Sequence, residues 1–215
     1  MQRIINSMPA LLHGALLTFE LTIVSIIIGL FLGLFLALGR ISRNKLIDKI
    51  CWVYIWIFRG TPLLMQIFFI YYALPMMYSP LTLPQVPAAF IALSLNSAAY
   101  LAEIIRAAIQ SIDKGQMEAA KALGMSYGQA MKRIIVPQSY RRLIPPVGNE
   151  FIALLKDSSL VSIIALTELM RTTTQISNAT GNAAIYIPAA ALYLLLTTVF
   201  TVVFEKLERK YSIYE

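Results

Sequence analysis

The sequence predicts an all-α integral membrane protein, and three observations carry that class. Apolar residues make up 58% of the 215 residues and charged residues only 13%, and the mean hydropathy of +0.70 lies far above that of an ordinary soluble domain. The apolar residues fall in runs long enough to cross a hydrocarbon core of about 30 Å as helices. The basic residues, whose excess gives a net charge of +7, gather between alternate runs, which is the pattern of membrane orientation and not of nucleic-acid binding. Cys51 is the only cysteine, so no internal disulfide is expected.

Five spans are expected within one transmembrane domain covering residues 1–215, with the N-terminus outside. The first runs over about 11–38. Met1 to Pro9 carries one arginine and a helix breaker, and the apolar run after it is too long for a signal peptide. Gly29 and Gly33 stand at the GxxxG spacing that lets another backbone come close. His13 and Glu20 sit near its outer end and carry no assigned role. Arg40, Arg43, Lys45 and Lys49 follow against Asp48 alone, so this loop faces the cytoplasm.

The second span is placed at 52–78. The apolar run from Leu46 to Tyr78 would be about 50 Å long as one helix, too long for the core, so it must break. Arg59-Gly60-Thr61-Pro62 is the expected break, with Thr61 as N-cap and Pro62 opening a new helix whose positive end points into the protein. A proline-rich, uncharged loop over 75–87 suits the outside. The third span, 88–109, places Asn96, Tyr100 and Glu103 at i, i+4 and i+7, one stripe on one face.

A cytoplasmic loop over 111–142 follows, with Lys114, Lys121, Lys132, Arg133, Arg141 and Arg142 against Asp113 and Glu118. Glu118 to Leu123 are good helix formers, Gly124 can supply a left-handed residue, and Ser126 with Gln129 reads as a capping box. Two short helices around a glycine corner are expected, the second stopped by Pro137. The fourth span, 145–166, is the least apolar and carries Glu150 and Asp157 seven residues apart, with Lys156, Ser158 and Ser159 beside them. Glu168 to Ala184 is polar and suits the outer side. The fifth span, 185–206, ends in a basic cytoplasmic tail, EKLERK.

The knuckle between the third and fourth spans resembles the EAA loop of permease subunits of ATP-binding cassette importers. Glu118, Ala119, Ala120, Gly124, Ile134 and Pro137 hold the family spacing, while Val136 stands where leucine is usual. RGTPLL at Arg59 to Leu64, NSAAYLAEIIRAAIQSIDKGQMEAA at Asn96 to Ala120 and NEFIALLKDSSLVSII at Asn149 to Ile164 are similar to the polar amino-acid uptake group. The resemblance implies that Glu118, Ala119, Ala120 and Gly124 dock into an ATPase. It also implies two ATPase subunits, a second permease subunit identical or related to this one, an extracytoplasmic amino-acid-binding protein, and a bacterial inner-membrane location. No GxxxxGK[ST] loop occurs here, so ATP and Mg belong to a separate polypeptide and this chain is a pathway, not an enzyme. No metal or cofactor is expected on it.

Charges inside a membrane are costly, about 2.5–3.5 kcal/mol on the insertion scale, so each needs a partner or a watery cavity. The plain reading pairs Glu103 with Arg106 three residues on, and sets Lys156 against Asp157. The functional reading follows the acid excess to a cationic amino acid. In it Glu103 and Glu150 hold the cationic side chain and Asp157 takes the α-ammonium, near Lys156 and Ser158. The helix start at Thr61, Leu63 and Met65 receives the α-carboxylate, Tyr100 covers the aliphatic stem, and Asn96 and Ser97 add hydrogen bonds. The alternatives are a permease for glutamine or another neutral polar amino acid and, less favoured, an ion-gradient-driven transporter using Glu103 and Glu150. A loop of the ATPase-docking kind argues against the latter.

Overall fold

The computed structural model describes residues 2–212, with side chains described over 6–211; every regular element among them is helical. Helix α1 (Gln2–Arg40) is apolar on nearly every side and packs lengthwise against α5 (Gln85–Gln110). The two backbones nearly touch. A Cβ added to Gly33 would stand 3.0 Å from the Ala98 carbonyl oxygen, and one on Gly29 would stand 3.2 Å from the Ser97 side chain. The GxxxG spacing therefore does what small residues at such a spacing permit. Alanines on α5, including Ala98, Ala99 and Ala102, are fully buried in this seam, and Leu21, Leu93, Leu101, Phe151, Leu155 and Ile164 fill the core around it.

Helix α2 (Lys45–Gly60) is N-capped by Asn44, whose side-chain oxygen accepts from the Leu46 and Ile47 N–H groups. It ends at the expected break. The chain turns by 104° into α3 (Leu63–Phe68), which widens into a π-turn over Phe69–Ala73 before α4 (Leu74–Met77). Thr61 does not cap the new helix, however. It belongs to the end of α2, where its hydroxyl donates to the Ile57 carbonyl at 2.8 Å, and Pro62 is the N-cap of α3 with no side-chain cap bond. With the threonine still bonded back one turn, its oxygen faces away from the N–H groups it would have to receive.

The knuckle forms as two short helices, α6 (Lys114–Ala122) and α7 (Tyr127–Ala130). Gly124 has φ +78°, and Ser126 with Gln129 makes a reciprocal capping box. Pro137 does not stop the second helix. A π-turn over Met131–Ile135 precedes it, and α8 (Val136–Asp157) begins there, so the proline sits in a first turn where its missing N–H costs nothing. Pro145 and Pro146 lie inside α8. Past Asp157 the helix tightens to 3₁₀ over Ser158–Ile164 and stops at Ala165, at φ +62°.

The polar stretch expected as an outer connection is mostly helical. Glu168 N-caps α9 (Leu169–Thr180), which lies against the N-terminal part of α1, and Gly181 at φ +63° turns the chain toward α10 (Tyr186–Ser212). A Cβ on Gly14 would meet Thr172 Oγ1 at 2.8 Å, and one on Gly148 would meet the Phe204 ring at 2.7 Å, so both glycines mark close helix packing. Among the described residues three helices are long and apolar enough to cross a membrane, and the bent pair over 45–77 would make a fourth. The 145–166 stretch does not meet that measure, because prolines, Glu150, Lys156 and Asp157 dilute its apolar content.

Candidate functional site

The bend between α2 and α3 is held against α5 by one polar knot. Gln66, buried on α3, donates to the Phe58 carbonyl at 2.9 Å, to the Thr61 carbonyl at 3.1 Å and to Thr61 Oγ1 at 2.9 Å. Its side-chain oxygen accepts from Asn96 at 2.9 Å, and Asn96 also donates to the Phe58 carbonyl at 3.3 Å. Tyr54 adds a bond from its hydroxyl to the Leu95 carbonyl at 2.9 Å. The break frees backbone carbonyls, and side-chain amides satisfy them, as membrane-depth backbone requires. Asn96 is thus committed to protein groups. Gln66 was not singled out from the sequence, since an isolated glutamine in an apolar run carries no spacing signal.

One turn and two turns along α5, Tyr100 and Glu103 open onto a cavity of about 500 Å³ that also meets Arg59, Ser111, Arg142 and Pro146. Glu103 is occupied. Arg106 forks onto it at 3.0 and 2.6 Å, and Arg59 reaches it at 3.6 Å while lying 5.4 Å from the centre of the Tyr100 ring. The plain reading of Glu103 is therefore the one the geometry realises, with a second arginine besides. From the sequence Arg59 carries no sign of this contact, because its partner lies 44 positions away in the chain.

Glu150 behaves differently. It is half-buried on α8, it accepts from Ser97 Oγ at 3.0 Å, and no ion pair reaches it among the described residues. Asp157 lies two turns further along α8 and is exposed, as is Lys156; no ion pair joins the two. Ser158 is fully buried and donates to the Leu155 carbonyl at 2.8 Å. Thr61 and Met65 are exposed on the isolated chain and Leu63 is half-buried; Met65 N–H and Gln66 N–H donate back to the Pro62 carbonyl, which leaves Leu63 and Leu64 N–H to open the helix. Thr61 and Met65 border a second cavity, about 740 Å³ and nearly all apolar, with Phe58, Phe69, Ile91 and Leu95.

The docking candidates lie apart from these groups, at the far end of α5. Glu118, Ala119 and Gly124 are exposed and Ala120 is buried. A further acid, Glu168, which no spacing in the sequence marks out, is wholly buried. Its two oxygens accept from Met170 N–H and Arg171 N–H, each at 2.7 Å, from Thr18 Oγ1 at 3.4 Å and from Tyr193 OH at 3.2 Å. It ties α1, α9 and α10 together as a capping residue.

Compared with known proteins, residues 25–213 match the family described as "Binding-protein-dependent transport system inner membrane component". The chain is 42% identical over 207 residues to the arginine transport system permease protein ArtQ of Bacillus subtilis (strain 168), an alignment covering 96% of this chain and 94% of that one. It is also 42% identical to the L-cystine transport system permease protein TcyB of the same organism, with 96% and 88% covered. A solved structure described as "Crystal structure of an amino acid ABC transporter with histidines" superposes with a TM-score of 0.90 at 40% identity, with 96% of each chain covered.

Proposed function

Because this chain belongs to the family of binding-protein-dependent transport system inner membrane components, a multi-pass permease subunit of an amino-acid importer driven by a separate ATPase, we propose that it carries cationic amino acids. The observation that supports this reading is the state of Glu150. It is a half-buried carboxylate bonded to one neutral hydroxyl and to no cation among the described residues, on the same helix face as the equally unpaired Asp157. A buried anion in that condition is stabilised by an arriving guanidinium or ammonium, and a guanidinium suits it best because it bonds as a fork.

In this reading Glu150, held by Ser97, receives the cationic side chain. Asp157, beside Lys156 and Ser158, takes the α-ammonium. The α-carboxylate meets the start of α3, at Thr61, Leu63 and Met65, where the N–H groups of Leu63 and Leu64 are open. Tyr100 flanks the side chain. Glu103, forked by Arg106, acts on the substrate through Arg59, whose guanidinium already rests by the Tyr100 ring. The exposed knuckle at Glu118, Ala119 and Gly124, with Ala120 beneath it, docks on the ATPase. Five spans, the N-terminus outside, two ATPase subunits, a second permease subunit and an external binding protein complete the assembly. Arginine and cystine carriers stand at equal identity to this chain, so overall likeness does not choose between charged and neutral substrates, and a neutral polar amino acid is the second reading.

Titration of ATPase stimulation in the reconstituted complex separates the two. In Glu150→Gln the response to arginine and lysine should weaken by roughly 2–5 kcal/mol of site affinity, while a neutral substrate suffers much less. An unchanged arginine response in a variant that assembles normally would move the assignment to neutral amino acids.

A further inference from the structure

At the other end of α8 the chain builds a basic groove whose arginines have no assigned part in the transport reading, although Ile134 and Pro137 of the knuckle motif line it and Arg142 also borders the Tyr100–Glu103 cavity. Arg133, Arg141 and Arg142 line a cavity of about 610 Å³ with Gln138, Tyr140 and Tyr211, and no acid lines it among the described residues. Arg133 and Arg142 are exposed and take part in no ion pair among the described residues. Among the described residues the neighbouring acids, Glu205 and Glu208 on α10 and Asp113 beside Ile112, are not among the lining groups.

A second observation points to what fills it. On α10, Leu195, Val199, Val203, Leu207 and Tyr211 recur every fourth residue and are all exposed, at 59, 49, 43, 38 and 43%. That ridge is about 24 Å long at 1.5 Å per residue, enough to span one leaflet of roughly 15 Å, and it ends at the groove. An apolar track leading into a cluster of arginines and flanked by two tyrosines has the form of an acyl chain joined to an anionic headgroup.

We propose that this groove binds the phosphate of an anionic phospholipid from the cytoplasmic leaflet, with its acyl chain along the α10 ridge. The inference rests on the cytoplasmic placement of residues 111–142 and not on which amino acid is carried. Gln138 Nε2 donates to Gln116 of α6 at 3.3 Å, so a lipid seated here would touch the same segment that leads to the knuckle.

The test uses the full permease and ATPase complex, free of substrate, in nanodiscs of phosphatidylcholine alone or with phosphatidylglycerol, and counts retained lipids by native mass spectrometry. Phosphatidylglycerol should be retained over phosphatidylcholine, with a loss of about five-fold in Arg133→Gln and about 25-fold in Arg133→Gln with Arg142→Gln, one factor per lost charge. Arg43→Gln, an exposed cation elsewhere on the same side, should leave retention as in the parent. Equal loss in Arg43→Gln would reduce the effect to diffuse surface charge and overturn the site. So would an equal Arg133-dependent stabilisation by inorganic phosphate in phosphatidylcholine, or loss of the ATPase instead of lipid in the double variant. Because no amino acid is present, failure here is distinct from failure of the cationic-substrate reading.

Discussion

The bend at Gly60 to Pro62 exposes carbonyls that a continuous helix would have used, and one residue, Gln66, answers most of them. Replacing it by leucine keeps the size but leaves the Phe58 and Thr61 carbonyls with fewer donors and Asn96 without the nearer of its two acceptors. Gln66→Leu should therefore lower stability by roughly 1–3 kcal/mol, read as a drop in the thermal midpoint of the purified permease. Gln66→Ala should do no better, while an exposed glutamine such as Gln175→Leu should change little. The break itself was legible in the sequence because four residues with strong local preferences stand in a row. Gln66 was not, because what it satisfies exists only after the chain has turned through 104° and brought Asn96, 30 positions away, beside it. The same holds for Glu168, whose partners Thr18 and Tyr193 lie 150 and 25 positions off, and which looks from the sequence like one more polar residue in an outer loop.

Helix-scale reading succeeded where the chemistry is local and failed where geometry accumulates along a helix. Gly124 and the Ser126–Gln129 box formed as their types and spacing require. Nothing lies within 4 Å of where a Cβ on Gly124 would be, so a substitution there costs backbone strain alone, roughly 1–2 kcal/mol for a β-branched residue at φ +78°. Gly124→Val should leave the spans inserted while lowering both ATPase co-purification and uptake in vesicles; normal values for both would remove the docking role. Pro137 shows the opposite case. Taken alone it reads as a stop, but a π-turn just before it lets α8 continue, and that widening is written in no single residue of Met131 to Ile135. Thr61 is similar, since both a C-terminal back-bond and an N-cap are open to a threonine at a break, and the structure takes the first.

For the molecule as a whole, charge placement, with the bent pair counted as a span, predicts an outer N-terminus and an inner knuckle, and two exposed side chains make that checkable. Met76, 89% exposed, lies at the end of the bent pair, and Leu123, 82% exposed, lies at the glycine corner. With Cys51→Ser as background, Met76→Cys should react with an impermeant maleimide in intact cells, and Leu123→Cys only after the membrane is opened. The reverse pattern would invert the topology. The seam between α1 and α5 has a mechanical meaning as well. Two helices in contact at their backbones, with Gly29 and Gly33 set into Ser97, Ala98 and Leu101, cannot slide without a steric clash or part without giving up close packing, so they form a keel. Compliance is left to what hangs from it: the kinked arm over 45–77 at one side, and the π-turn before α8 at the other. A push delivered to the knuckle would then be spent as rotation of those arms and not as shear within the keel, which leaves Ser97, and the carboxylate it steadies on α8, at the boundary where the stiff part meets the moving one.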